Sequence, residues 1–145
     1  MGERQISYQR LEHKSDTGFL VRAPSLARLY VDAALALTDH LARLNTISDE
    51  TRNQISLTAA DKESLLVNWL NEVLYLFEQR KFLSKRIVLD QFDGKKISAT
   101  LWGSDYNPIK HGHASEIKAV TYHQLELGYV EKPEPHFFAR IFLDL

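Results

Sequence analysis

The sequence predicts an α/β fold in which two main helices lie between two antiparallel or mixed β-sheets, as a three-layer sandwich. The apolar residues of segment 61–82 cover an arc of roughly 200° on a helix, about twice the ~100° stripe of a surface helix. Such a helix must be covered on two sides, and most of the remaining chain has the pattern of strands. The 145 residues contain no linker-like stretch, so we expect one domain over residues 1–145.

The N-terminal half contains two predicted strands and the first helix. Strands are predicted over residues 6–13 and 18–23, separated by the polar turn His-Lys-Ser-Asp-Thr-Gly. Ser25 begins a helix whose apolar residues recur at spacings of three and four as far as Leu41. Residues 54–59 then alternate like a half-buried strand, and Asp61 caps the second helix.

The C-terminal half is predicted to be mainly β. Strands over 86–92 and 95–102 are joined by an Asp-Gly turn, and a loop over 103–115 follows. Two further strands are predicted over 116–127 and 136–145. The last segment is almost continuously apolar, which predicts an inner strand that is covered on both faces and ordered to its end.

Composition and charge exclude several classes of protein. Eighteen Lys and Arg residues against nineteen Asp and Glu residues give a net charge of −1, so no global basic field attracts nucleic acid. The absence of cysteine excludes disulfides, a thiol nucleophile and Cys-based zinc sites. The N-terminal residues lack the apolar run of a signal peptide and no segment is long enough to span a bilayer, so we expect a soluble cytoplasmic protein.

Two aspartates are candidate metal ligands. Asp16 lies in the first turn, three residues after His13, although an Asp in such a turn most often bonds its own backbone. If the last strand is ordered to its end, the Asp144 carboxylate, the main-chain oxygens of Leu145 and the α-carboxylate form a cluster of hard oxygen ligands. The alternative for Asp144 is a solvated chain end.

Lys118 and three histidines are weaker candidates. Strand alternation places four residues on one face: Glu116, Lys118, Val120 and Tyr122. Lys118 then either forms a surface ion pair with Glu116 or approaches an anionic site. His111 and His113 have a zinc-ligand spacing and His123 follows, but histidines in such a loop most often face solvent. No nucleotide-binding, nucleophile-elbow or zinc-protease motif is present.

Four segments in order, LEHKSDTG, DKESLLVNWLNEVLYLF, SEIKAVTYHQLEL and FFARIFLDL, resemble the archease family over essentially the whole chain. The resemblance implies a three-layer sheet, helix, sheet fold, in agreement with the helix that must be covered on two sides. It also implies an accessory protein of the RtcB-type RNA ligase in tRNA splicing and RNA repair, which promotes guanylylation and multiple turnover of the ligase.

The resemblance further implies a divalent ion, calcium in the family, with magnesium or manganese as alternatives. Its ligands correspond to Asp16, Asp144 and Leu145, with Lys118 and His13 at the rim. The chain departs from the family where Lys14 and Ser15 stand in place of the common Thr and Ala, which adds positive charge beside the site. The segment RAPSLARL replaces a usually acid-rich one, so one partner-facing surface is expected to differ.

The expected function is therefore activation of a ligase, not RNA joining by the protein itself. RNA would be contacted only through the ligase, no membrane is involved, and the protein would be a monomer or a weak homo-oligomer. The alternative is a stand-alone metal-dependent phosphoester or nucleotide hydrolase, which would need a base such as His13 or His123. A chaperone-like protein is a third possibility, which rests on analogy of fold alone.

Overall fold

A computed structural model describes residues 6–12 and 17–145. The strands are β1 (Tyr8–Glu12), β2 (Thr17–Ala23), β3 (Thr51–Thr58), β4 (Phe82–Phe92), β5 (Lys96–Asp105), β6 (Ala119–Val130) and β7 (His136–Asp144). The helices are α1 (Leu26–Leu41), α2 (Lys62–Arg80) and the short α3 (Pro108–His111), with a 3-10 turn over Leu44–Thr46. One sheet has the order β1-β2-β7-β6 and the other the order β3-β5-β4, and all pairings are antiparallel.

The two long helices form the middle layer, which confirms the predicted sandwich. Helix α1 contacts β2 and β7 of the first sheet and β4 of the second, while α2 contacts β6 on one side and all three strands of the second sheet on the other. Both predicted caps are present: Ser25 accepts a hydrogen bond from the Arg28 amide at 3.1 Å, and Asp61 accepts one from the Ser64 amide at 2.8 Å.

The centre of the core lies between the two helices. The Trp69 side chain of α2 is fully buried, and its indole N–H donates to the main-chain oxygen of Tyr30 at 2.8 Å. The Tyr30 hydroxyl of α1 donates in turn to the main-chain oxygen of Lys62. Because both large aromatic side chains satisfy their polar groups on the opposite helix, α1 and α2 are held in one relative position.

Helix α2 ends two residues earlier than predicted. Lys81 adopts a left-handed backbone with φ of 55°, and its N–H donates to the main-chain oxygen of Phe77 at 2.8 Å. The next two residues, Phe82 and Leu83, are buried and already belong to β4, which was predicted to begin only at residue 86. Periodicity alone did not reveal this boundary because a helix end and a buried strand are both apolar here.

Other boundaries differ by a few residues. Strand β1 begins at Tyr8 rather than at residue 6, and β3 begins at Thr51, three residues before its predicted start. The predicted loop over 103–115 contains the end of β5 and all of α3. Within the described residues, no helix is both long enough and apolar enough to cross a membrane.

Strand β6 does not alternate as predicted. It begins at Ala119, and its register against β7 shifts between Thr121 and Glu126, where Gln124 has φ of 55°. Val120 is buried while Lys118 and Tyr122 are exposed, so these three residues do not share one face. An irregularity of this kind interrupts the two-residue period on which the prediction depended.

The start of β6 is fixed by a side chain of α2. The Asn71 amide donates to the main-chain oxygen of Val120 at 3.0 Å and accepts from the Val120 N–H at 2.8 Å. Both backbone groups of a buried residue are thereby satisfied by a single side chain. Asn71 therefore positions the strand that follows Lys118.

His40 is buried on the face of α1 that meets the first sheet. Its ring lies 5.5 Å from the Tyr8 ring and 5.2 Å from the Phe19 ring, measured between centroids. Its Nδ1 lies 2.9 Å from the main-chain oxygen of Ala36, which can only accept, so Nδ1 carries the proton. Burial lowers the pKa of His40, while this hydrogen bond raises it less and the Arg10 charge lowers it further.

We expect Asn71→Ala to lower the free energy of unfolding by about 2–4 kcal/mol, because it leaves a buried N–H and a buried carbonyl of Val120 unsatisfied. Urea unfolding measures the change. Asn68→Ala is the matched control, since Asn68 is an exposed residue of the same helix, and it should change stability by less than about 0.5 kcal/mol. Equal effects of the two substitutions would contradict the role assigned to Asn71.

We expect stability to fall as the pH drops below 6.5, the ordinary pKa of histidine. The unfolded chain binds a proton at His40 there, whereas folded His40 binds it only at lower pH, so protonation favours unfolding. His40→Gln should flatten this dependence by up to about 1.4 kcal/mol per pH unit, as measured by urea unfolding between about pH 7 and pH 5. His123→Gln, which removes an exposed histidine, should keep the wild-type slope. An unchanged slope in His40→Gln would refute the assignment.

Candidate functional site

The candidate site lies where β2 begins and β7 ends. These strands pair in antiparallel register, with Thr17 opposite Leu143 and Gly18 opposite Phe142. Asp16 and His13 lie outside the described residues, but Thr17 directly follows Asp16 in the chain. The described residue after one candidate aspartate is therefore paired with the residue before the other, Asp144.

Gly18 makes this pairing possible. A Cβ atom at this position would lie 2.2 Å from the main-chain oxygen of Ile141 and 2.9 Å from the Phe142 ring. Real Cβ atoms do not approach a backbone oxygen so closely, so any larger residue would push β2 away from β7. The glycine of the HKSDTG turn is therefore required by strand packing.

Strand β7 is ordered up to the penultimate residue, as predicted. Three consecutive residues near its end are buried and anchor this part of the strand: Ile141, Phe142 and Leu143. Asp144 pairs with Ala119, and its main-chain oxygen accepts a hydrogen bond from the Lys118 N–H at 2.7 Å. Asp144 itself is exposed and Leu145 is 55% exposed, so both residues are accessible from solvent.

Lys118 is thus held next to Asp144 through its backbone. Its side chain is exposed and makes no hydrogen bond or ion pair with any residue that the structure describes. The predicted ion pair with Glu116 is not formed there, and both side chains face solvent. The exposed Lys118 side chain therefore lies beside the end of β7 without a partner among the described residues.

A cavity of about 340 Å³ opens at this end of the sandwich. Its lining includes an apolar residue, Leu145, an anionic residue, Glu116, and a cationic residue, Arg10. The Thr17 hydroxyl and the His40 ring also line it. The Glu116 carboxylate, the Thr17 hydroxyl and the main-chain oxygens near Leu145 are hard oxygen donors, whereas Arg10 is a cation that opposes a metal ion. Thr17, His40 and Arg10 were not recognised from the sequence because they come from three different elements.

The three histidines that the sequence analysis considered as zinc ligands give no support for a zinc centre. His111 is buried, contrary to the expectation of a solvated loop. Its Nδ1 accepts a hydrogen bond from the backbone N–H of Asn107 at 2.9 Å. Burial, with the charge of Lys110 as the second cause, lowers its pKa. His113 and His123 are exposed. Over residues 6–12 and 17–145, no three His, Cys, Asp or Glu side chains are placed to share one metal ion.

Two relatives, each named protein archease, match almost the whole chain. The protein of Methanosarcina acetivorans is 37% identical over 142 residues, which cover 95% of each chain. The protein of Methanosarcina mazei is 36% identical over 142 residues, with the same coverage.

Solved structures have the same fold. The solution structure of Methanobacterium thermoautotrophicum protein 1598 matches with a TM-score of 0.78 at 27% identity, over 95% of this chain and 98% of that one. A crystal structure described as an archease and possible chaperone from Thermotoga maritima matches with a TM-score of 0.60 at 17% identity, over 98% and 100% of the two chains, which shows the fold alone. The model of the archease protein family (MTH1598/TM1083) matches residues 8–145. The chain therefore belongs to the archease family.

Proposed function

We propose that the protein binds a divalent cation at the end of β7 and activates an RtcB-type RNA ligase in tRNA splicing or RNA repair. The observation that carries this proposal is the register of β2 and β7, in which Thr17 lies opposite Leu143. One peptide link joins Thr17 to Asp16, and one joins Leu143 to Asp144. Adjacent Cα atoms are about 3.8 Å apart, which supports a shared oxygen site.

The donor set fits a hard cation. Asp16 and Asp144 would supply carboxylate oxygens and Leu145 a main-chain oxygen, and the Thr17 hydroxyl and Glu116 carboxylate line the adjacent cavity. Such oxygen donors suit calcium, or magnesium or manganese, and the chain has no thiolate that would favour zinc. Arg10 beside the cavity, and Lys14, which precedes Asp16 by two residues in the chain, would lower the affinity for the ion.

The chain's own residues suit a role beside a reacting phosphate. A bound divalent cation would neutralise part of the phosphate charge. Lys118 presents an ammonium next to Asp144 that has no partner among the described residues, and there it can bind an anionic group of the ligase or its nucleotide. His13 completes the proposed rim. The protein would act through the ligase, and RNA would be bound by the ligase alone.

The rival functions are separated by direct assays. A stand-alone hydrolase would release product from nucleotides or phosphoesters without a ligase, and we expect no turnover. The Thermotoga maritima protein is described as a possible chaperone. A chaperone would suppress aggregation through an apolar patch. The large apolar side chains that are exposed in the described part of the chain are spread over α2, β4, α3, β6 and Leu145.

We expect Asp144→Ala and Asp16→Ala each to lower calcium affinity by more than about tenfold, because each removes an anionic ligand. Stimulation of multiple-turnover ligation should be lost in parallel. Calorimetric titration with calcium and the number of RNA joints formed per ligase measure the two effects. The control is Asp105→Ala, which removes an exposed aspartate at the end of β5 and should behave as wild type.

Circular dichroism and thermal unfolding should show that the Asp144 variant is folded, since the side chain is exposed. Wild-type calcium affinity in both aspartate variants would refute the ligand set. Absence of any stimulation by the wild-type protein would refute the ligase partner instead.

We expect Lys118→Ala to lower ligase stimulation by about tenfold while calcium binds at least as tightly as to the wild type, because the ammonium is exposed, is not an ion ligand and opposes a cation. Lys118→Arg keeps the charge and should retain most of the stimulation. The same pair of assays measures both variants. Loss of calcium binding in Lys118→Ala would contradict the separation of roles.

A further inference from the structure

A larger cavity, of about 720 Å³, opens on the side of the sandwich where the edge strands β1 and β4 flank α1. On the side of the first sheet it is lined by Ile6, Tyr8 and Arg10, which alternate along β1 and the segment that precedes it. Its size falls within the range of about 300–1,000 Å³ that is usual for small-molecule sites. Among the described residues, Arg10 alone lines both this cavity and the one at the end of β7.

The floor of the cavity is aliphatic. It is formed by Val31 and Leu35 of α1, Ile87 of β4, and Ile6 and Leu44. Among the described lining residues, Tyr8 is the one with an aromatic ring. Its ring packs edge-on against Phe19, and its hydroxyl donates to Asp39. The cavity therefore has no pair of aromatic rings, within the described lining, between which a flat ligand could stack. The floor therefore suits a flexible hydrocarbon body better than a flat heterocycle.

The carboxylates of the lining are already used by the protein. Asp39 accepts from the Tyr8 hydroxyl at 2.5 Å through one oxygen and from the Leu44 amide at 2.9 Å through the other. Asp49 accepts from the Arg86 guanidinium at 2.8 Å. Burial, followed by the contact with Asp39, raises the pKa of Tyr8 to about 12, so its hydroxyl stays protonated and donates to Asp39 at neutral pH.

The cations of the lining outnumber these carboxylates. Arg10, Arg43, Lys85 and Arg86 stand against Asp39 and Asp49. The Arg43 side chain is exposed and bonds to no side chain or backbone group in the described ranges, and Arg10 reaches Asp39 only at 4.0 Å and the Tyr8 hydroxyl at 3.3 Å. With respect to the described residues, two guanidinium groups thus keep unused N–H donors in the geometry that carboxylates and phosphates prefer.

We infer that this cavity binds a small amphipathic anion, with an aliphatic body on the α1 floor and a carboxylate or phosphate head at Arg10 and Arg43. The inference goes beyond activation of a ligase and does not depend on a metal ion. Burial of the body supplies affinity, and the excess of arginine over aspartate among the described lining residues selects an anionic head over a cationic one.

The test is calorimetric titration of the full chain with octanoate, octyl phosphate and octyltrimethylammonium, each below the concentration at which it forms micelles. Both anions should bind saturably with one ligand per chain, and the cation, which has the same tail, should bind at least about tenfold more weakly. The stronger of the two anions identifies the head group. Equal binding of the cation, or no saturable binding of either anion, would overturn the inference.

Two charge reversals locate the site. Arg43→Glu should weaken binding of the anions by at least about tenfold, because it places a carboxylate where the head group would bind. Arg28→Glu makes the same change of net charge at an exposed position in the first turn of α1, outside the cavity lining, and should leave binding unchanged. Wild-type affinity in Arg43→Glu, or an equal loss in both variants, would show that the anions bind elsewhere or respond only to net charge.

Discussion

The antiparallel pairing of β2 with β7 is the constraint on which the candidate site depends. It places the second described strand against the last described strand, with Thr17 opposite Leu143. Gly18 allows the two backbones to approach, and buried Ile141 and Phe142 hold the strand in place. If this pairing slipped by one residue, every side chain of β2 would move to the other face of the sheet, and Phe19 and Val21 would leave the core.

The helical layer transmits this order to the rest of the site. Trp69 and Tyr30 fix α2 against α1, and Asn71 then fixes the start of β6. Because Lys118 directly precedes β6 and donates its N–H to Asp144, its position follows from the packing of α2. A surface cation is thus located by buried contacts within α2 and β6, none of which involves its own side chain.

The two cavities follow from the same architecture. A sandwich of two sheets and two helices covers its middle well, but it leaves openings at strand ends and beside short edge strands. The smaller cavity lies at the end of β7 and is lined by the Thr17 hydroxyl and the Glu116 carboxylate. The larger cavity lies beside β1, and its described lining has more arginines than aspartates. Arg10 of β1 borders both, so its charge affects both electrostatic environments.

The sequence by itself determined the layers, the two helix caps and the continuous last strand, because spacing of apolar residues and capping are local properties that survive without tertiary contacts. Asp144 and Lys118 could also be singled out, through their motifs. Only the tertiary structure decided that α2 ends at Arg80, that Gln124 breaks the alternation of β6, and that His40 and Arg10 border the smaller cavity. These features depend on residues far apart in the chain, whose contacts form only when the sheets and helices pack.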